Sequence, residues 1–230
     1  MNEFFASSAT IGVVISLIFY YFGIWLKNKF KSSLINPLLI SIVLTLIFLL
    51  IFRIDYASYN NSGKYLSYLL TPATVSLAIP LYMEIERMKK NIKAILISIL
   101  VGSVTSMTVI LIFALLFHFD HAQYVTFLPK SITTAIGMSI SEELGGVVPI
   151  TVAAIIVTGI FGNISAEGVL KAAKITDPIA KGLAIGTSAH AIGTAKAMEI
   201  GEVEGAMSSL SIVTAGIITV IGANLWAMFL

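Results

Sequence analysis

The chain has 230 residues, 57% of them hydrophobic and 11% charged, with a mean hydropathy of +0.97 and a formal charge of +2. Ordinary soluble domains are near a quarter charged, so this composition excludes a soluble fold, and so small a net charge gives no reason to expect a nucleic-acid partner. The absence of cysteine excludes a disulfide framework, a thiolate nucleophile and a cysteine-based metal site. A hydrocarbon core about 30 Å thick takes about 20 apolar residues per helix, which leaves room for about six to eight spanning or half-spanning segments. The expected fold is therefore an all-α, polytopic helical membrane protein whose single integral membrane domain is the whole of 1–230.

Eight candidate membrane segments follow in chain order. The first, 5–26, is continuous and stops at KNKFK; Lys27, Lys29 and Lys31 stand where a small-residue cleavage site would be needed, so it reads as an anchor with a cytoplasmic end. The second, 35–52, is nearly all Leu and Ile, with Pro37 near its start, where a missing N–H costs least. Residues 53–64, with Asn-Asn-Ser-Gly, read as an extramembrane loop. The third segment, 65–85, carries Pro72 and Pro80 and is expected to be broken. Arg87, Lys89, Lys90 and Lys93 then form a basic cluster, expected inside, before a regular span over 94–117.

The second half is more polar. Segment five, 128–146, is short and hydroxyl-rich, and Ser131 is a candidate cap for a half-helix. Segment six, 148–164, is a short apolar helix, followed by a linker with Lys171, Lys174 and Lys181, again expected inside. Segment seven, 182–200, lies within KGLAIGTSAHAIGTAKAMEIGE, and segment eight, 208–230, ends near Trp226. For both basic regions of this half to face inward, segment five or segment seven is expected to be re-entrant.

If 184–196 is one helix, Gly186, His190 and Gly193 share a face at i, i+4, i+7, with Thr187 and Thr194 beside them. Such a stripe is either a close helix-packing seam or a polar site inside the membrane, where an ionisable side chain turns toward a partner or a substrate path. The chain also resembles itself. Ala78-Ile79-Pro80, Ala135-Ile136-Gly137 and Ala191-Ile192-Gly193 are each followed, eight positions after the Ala, by Glu86, Glu143 and Glu199. A unit of broken polar helix, acidic turn and plain span, used more than once, suits transporters whose sites form where discontinuous helices meet; simple low complexity is the plainer explanation.

The polar groups of segments five and seven allow one chemistry in particular. Lys130, Ser131, Thr133, Thr134, Thr187, Ser188, Thr194 and Lys196 supply ammonium and hydroxyl donors for a small carboxylate, and His190, Glu143 or Glu199 can carry a coupled proton. Against this, Lys130 and Lys196 can snorkel, Lys196 can pair with Glu199, and Glu142 and Glu143 make an ordinary solvated turn. No HExxH, GxSxG or Walker motif occurs, and His118, His121 and His190 do not have zinc spacing. An intramembrane hydrolase built on Ser188 and His190 lacks any signature, so no enzyme, metal or cofactor is expected.

LPKSITTAIG, SEELGG, TSAHAIGTAKAMEIG and AMSSLSIVTAGI resemble the LrgB/CidB family of bacterial membrane proteins, over essentially the whole chain, and the SITTA and SHA-type motifs look closer to its CidB-like branch. The resemblance implies a multi-pass plasma-membrane protein that works beside a small holin-like partner of the LrgA/CidA type. It also implies a link to murein hydrolase export, autolysis and programmed cell death. Bacterial relatives are implicated in pyruvate transport, and a plastid relative exchanges glycolate and glycerate. Two functions follow as expectations: a secondary carrier of small monocarboxylates, or a non-transporting regulator of lysis. The expected partners are the bilayer, the holin-like protein, a small carboxylate and possible further copies of the chain.

Overall fold

The computed structural model describes Phe5 and residues 7–30, 35–76 and 78–230; Lys31 of the first basic cluster and Leu77 of segment three lie outside the described residues. Among the described residues the ordered elements are helical, and four helices are long and apolar enough to cross a membrane: Ile11–Phe30, Ile85–Leu116, Val148–Ala172 and Glu202–Ala227. The chain is a polytopic helical membrane protein, and it divides into two compact units, residues 1–76 and 77–230.

In the first unit α1 (Ile11–Phe30) packs on α2 (Pro37–Ile51). Pro37 occupies the first turn of α2, and Asn36 Oδ1 accepts from the N–H groups of Leu38 and Leu39 at 2.9 and 3.1 Å, so the helix start is capped. Residues 53–64, expected as a loop, mostly form α3 (Tyr56–Gly63). Its Ser62 hydroxyl accepts from Gly12 N at 2.8 Å, and its Tyr59 hydroxyl lies 2.6 Å from Ser16 Oγ. These polar contacts to α1 hold a turn-rich sequence helical. A 3₁₀ stretch, Lys64–Leu69, and α4 (Leu70–Ser76) complete the unit.

The second unit opens with α5 (Ala78–Met83). Segment three is thus broken as Pro72 and Pro80 require, each proline standing in the first turn of its own short helix. The basic cluster expected ahead of a span is instead the first turns of α6 (Ile85–Leu116), a helix of 32 residues. At 1.5 Å per residue α6 is about 48 Å long, so its basic start projects beyond a core about 30 Å thick.

Next come α7 (His121–Phe127) and α8 (Thr134–Glu143), which form a helical hairpin. His121 Nε2 at the start of α7 lies 3.3 Å from the Leu144 carbonyl just after α8, so the chain enters and leaves at the same end. A hydroxyl cluster fixes this hairpin to α9 (Val148–Ala172): Thr151 Oγ1 donates to Thr126 O at 2.9 Å and lies 2.7 Å from Ser141 Oγ, while Val147 N donates to Thr126 Oγ1 at 2.8 Å.

A second hairpin is hidden inside α10 (Pro178–Ile200). His190 has φ 42° and ψ −141°, which no helix contains, and the chain reverses there. A Cβ on Gly193 would lie 3.0 Å from Ile185 Cγ2, whereas eight residues of unbroken helix would separate them by about 12 Å. Lys181, near the start of α10, pairs at 3.7 Å with Glu204, at the start of α11 (Glu202–Ala227). Both segments five and seven therefore enter and leave at one end, where only one of them was expected to. The expected continuous helix over 184–196 does not exist, because the stripe through Gly186, His190 and Gly193 is folded back on itself at its middle residue.

The two hairpins enter from opposite ends. Ile95 and Ile99 of α6 pack with Leu183 of the second hairpin and Met207 of α11, whereas Ile110 and Ala114 pack with Tyr124, Leu128 and Ile132 of the first hairpin and Ala223 of α11. Arg87, Lys89, Lys90, Lys93, Lys171, Lys174 and Lys181 gather at the end where the second hairpin opens; His118, Asp120, His121, Glu142 and Glu143 gather at the other. The linker expected over 165–182 shrinks to the few residues between α9 and α10, since α9 continues to Ala172. The internal correspondence acquires a physical form here. Ala135-Ile136-Gly137 and Ala191-Ile192-Gly193, 56 residues apart, each begin the returning limb of a hairpin, and each hairpin is followed by a long helix, α9 or α11.

Candidate functional site

The tip of the first hairpin is built by its own apolar residues. Leu128 and Ile132 are buried in the core shared with α6 and α11, and this draws the intervening Pro129, Lys130 and Ser131 to the interior end of the hairpin. Lys130 Nζ donates to Ser131 Oγ at 2.8 Å and to Ser106 Oγ of α6 at 3.4 Å, and Ser106 Oγ donates to Ser131 Oγ at 3.0 Å. The ammonium thus rests on neutral hydroxyls. Ser131, which the sequence offered as a cap for α8, is instead held by Lys130 and Ser106; Thr133 stands at the cap position and makes no side-chain cap bond.

The tip of the second hairpin is pinned to α9. His190, 3% exposed, places Nε2 3.0 Å from the Ile155 carbonyl, and Asn163 Nδ2 donates to the Ile192 carbonyl at 2.9 Å. Residues 155, 159 and 163 repeat at i, i+4, i+8, so one face of α9 meets the turn. Gly159 belongs to that face for a steric reason: a Cβ there would lie 2.8 and 2.9 Å from His190 Cε1 and Nε2. On the returning limb Thr194 Oγ1 donates to the His190 carbonyl at 3.0 Å and shares a 2.7 Å bond with Ser208 Oγ of α11. The His190 and Ile192 carbonyls at the reversal are thereby satisfied by the Thr194 and Asn163 side chains.

Both tips meet α6. Gly102 lies against Thr187 of the second hairpin, where a Cβ would come within 2.6 Å of Thr187 Cγ2, and one turn later Ser106 bonds Ser131 of the first. Beside this meeting point is an open-sided cavity of about 970 Å³ flanked by α6, α9, the outgoing limb of the second hairpin, Lys130 and Ser131, with Val157 and Phe161 among its exposed lining residues. Val101, Val109, Val157 and Phe161 give it apolar walls, and Lys130, Ser131, Ser106, Thr187, Ser188 and Thr158 are among its polar residues. Among the described residues no carboxylate lines it. Thr187 and Ser188 donate to their own helix, to the carbonyls of Leu183 and Ala184 at 2.6 and 2.7 Å, so they offer lone pairs to the cavity more readily than protons.

The structure brings four of the sequence-derived candidates to this cavity: Lys130, Ser131, Thr187 and Ser188. Thr133 and Thr134 begin α8, and His190 and Thr194 are packed between α9 and α11. Lys196 lies apart on the returning limb, paired with Glu167 of α9 and, at 3.3 Å, with Glu199. Glu143 is exposed at the end of α8. Sequence reasoning passed over Ser106, Thr158, Gly159 and Asn163, all of which sit on helices read as plain apolar spans. Their signal is faint: an isolated polar or small residue in an apolar run.

A model of the LrgB-like family matches residues 16–229. The chain belongs to the LrgB-like family. It is 40% identical over 215 residues to the antiholin-like protein LrgB of Bacillus subtilis (strain 168), covering 93% of each chain. It is also 39% identical over 220 residues to the proteins of the same description from Bacillus mycoides (strain KBAB4) and Bacillus cereus (strain B4264), covering 95% of this chain and 96% of each relative. No solved structure matches it. Membership in this bacterial family, together with its apolar helices, makes the LrgB-like chain a multi-pass bacterial membrane protein. The relatives named here carry the LrgB description, so they lend no support to the CidB-like branch expected from the motifs.

Proposed function

We propose that this LrgB-like protein is a secondary carrier of small monocarboxylates such as pyruvate or glycolate. The observation that carries the proposal is Lys130: a cation held by two hydroxyls at the tip of a hairpin, facing a cavity that, among the described residues, no acidic side chain lines. An ammonium away from bulk water with neutral partners is costly unless an anion joins it, and one positive charge suits a monoanion. Two hairpins that enter from opposite ends and meet near mid-depth are the arrangement by which carriers expose one site to either side in turn. Lys130 and Ser131 hold the carboxylate, and the lone pairs of Thr187 and Ser188 accept from a substrate hydroxyl. His190 is the group for a coupled proton: Nε2 is committed to Ile155, leaving Nδ1 to gain and lose it. By the positive-inside rule the end bearing Lys171, Lys174 and Lys181 is cytoplasmic.

A second reading is favoured by the antiholin-like description of the relatives. In it the chain governs a holin-like partner, and through it murein hydrolase export and lysis, without moving a solute. Uptake of labelled pyruvate and glycolate into proteoliposomes, with and without a holin-like partner, separates the two. Saturable uptake that disappears in Lys130→Gln at matched insertion supports the carrier. If neither acid enters under either condition, the carrier is wrong and the regulator stands.

A further inference from the structure

Next to the cavity, sharing Ser106, Ser131 and Thr187 with it, is a narrow gap between the first hairpin tip, α6, the second hairpin and α11, closed so tightly that no water-sized sphere fits. Ser103 and Thr219 line it as well. Ser103 is 3% exposed, and its Oγ is the buried side-chain polar atom that lacks a hydrogen-bond partner among the described residues. Thr219 of α11 is also 3% exposed. Buried hydroxyls almost always find partners, since leaving one unmet forfeits its hydration without return. The Lys130 ammonium bonds Ser106 and Ser131, two of the hydroxyls that line the gap with Ser103. An unmet hydroxyl sharing its neighbours with a cation that rests on neutral atoms is the donor pattern of an anion site rather than of a packing seam.

Resting on the carrier reading and deepening it, we infer that this gap is the seat of the substrate carboxylate, with Ser103 and Thr219 as its hydroxyl donors. Ser131 Oγ already accepts from Lys130 and Ser106, so its own proton is turned to a third atom. Ser103, Ser131 and Thr219 then present three O–H groups from α6, the first hairpin and α11, with the Lys130 charge alongside. Because the closed gap has no room for a water, the anion enters only as the bond between Ser106 and Ser131 breaks and the first hairpin tip parts from α6. Binding therefore loosens the link between the first hairpin and α6 at the moment the site fills.

The test uses the full chain reconstituted in liposomes, with pyruvate as the probe and Ser103→Ala, Thr219→Val and the double variant as comparisons. Two quantities are read: the half-saturation concentration of uptake, and the rise in thermal stability that pyruvate confers on the detergent-solubilised protein. Each single substitution is expected to raise half-saturation roughly tenfold and to reduce the pyruvate-induced stabilisation accordingly. Without pyruvate, Ser103→Ala should be no less stable than wild type, because it removes an unmet donor. Uptake and stabilisation unchanged in both single variants would overturn the seat while leaving the carrier intact. Pyruvate stabilising the wild type and not the variants, without any uptake, would support the seat and sink the carrier. A wild type that neither binds nor transports pyruvate and glycolate would overturn both.

Discussion

Nε2 of His190 and the carbonyl oxygen of Ile155 stand 3.0 Å apart. A carbonyl only accepts, so the imidazole must hold its proton on Nε2 whenever the second hairpin is seated as observed. The same residue carries the positive φ that reverses the chain, so its backbone makes the turn and its side chain fastens it.

The turn gives the first prediction. Glycine takes a positive φ freely and alanine does not, whereas neither can bond Ile155. His190→Gly should unfold at a higher temperature than His190→Ala, by the equivalent of about 1 kcal/mol, with both below wild type. Thermal unfolding in detergent checks this, and equal midpoints for the two variants would contradict a chain reversal at this position.

Lys130 gives a prediction with opposite signs in two measurements. Lys130→Met removes an ammonium whose partners are only hydroxyls, so stability should be unchanged or raised by about 1 kcal/mol. Carboxylate uptake in the same variant should fall by roughly tenfold or more. A variant that loses uptake and stability together would instead mark Lys130 as structural.

For Lys196 a small effect is expected. Its partners Glu167 and Glu199 have side chains 54% and 50% exposed, so the pairs are screened and labile. Lys196→Met should cost less than about 1 kcal/mol and leave half-saturation for pyruvate near the wild-type value. A double-mutant cycle with Glu167→Gln measures the coupling, which should shrink as salt is raised.

The chain has no native cysteine, so single cysteines can report which side each hairpin opens to. Gln123→Cys and Glu142→Cys, at the open end of the first hairpin, should react with a membrane-impermeant maleimide added to intact cells. Lys174→Cys, beside the second, should react only after permeabilisation. Reaction of all three from outside would contradict opposite-sided hairpins.

These features differ in how far they could be read from residue order. Composition fixes the class, and the prolines and hydroxyls of 65–85 and 128–146 mark broken segments because each removes or diverts a backbone bond. The 56-residue correspondence lands on matching limbs, each with a glycine at a close approach: Gly193 against Ile185 of the facing limb, Gly137 against Ile155 of α9. The reversal at His190 was hidden because Gly186, His190 and Gly193 have the spacing of a single helix face, and neither Gly nor Pro stands at the turn itself. Ser106 and Asn163 escaped notice because the importance of a lone polar residue on an apolar helix depends on what it faces, which local sequence does not carry.

The placement of α6 between the hairpins has a mechanical meaning. Gly102 receives one tip and Ser106 the other, one helical turn apart on a single rigid rod. Any tilt of that rod lifts one latch as it presses the other home, as the beam of a balance raises one pan by lowering its fellow. The two latches differ in kind, one a packing contact and the other a hydrogen bond, and on the carrier reading proposed above the heavier pan is whichever compartment holds more solute.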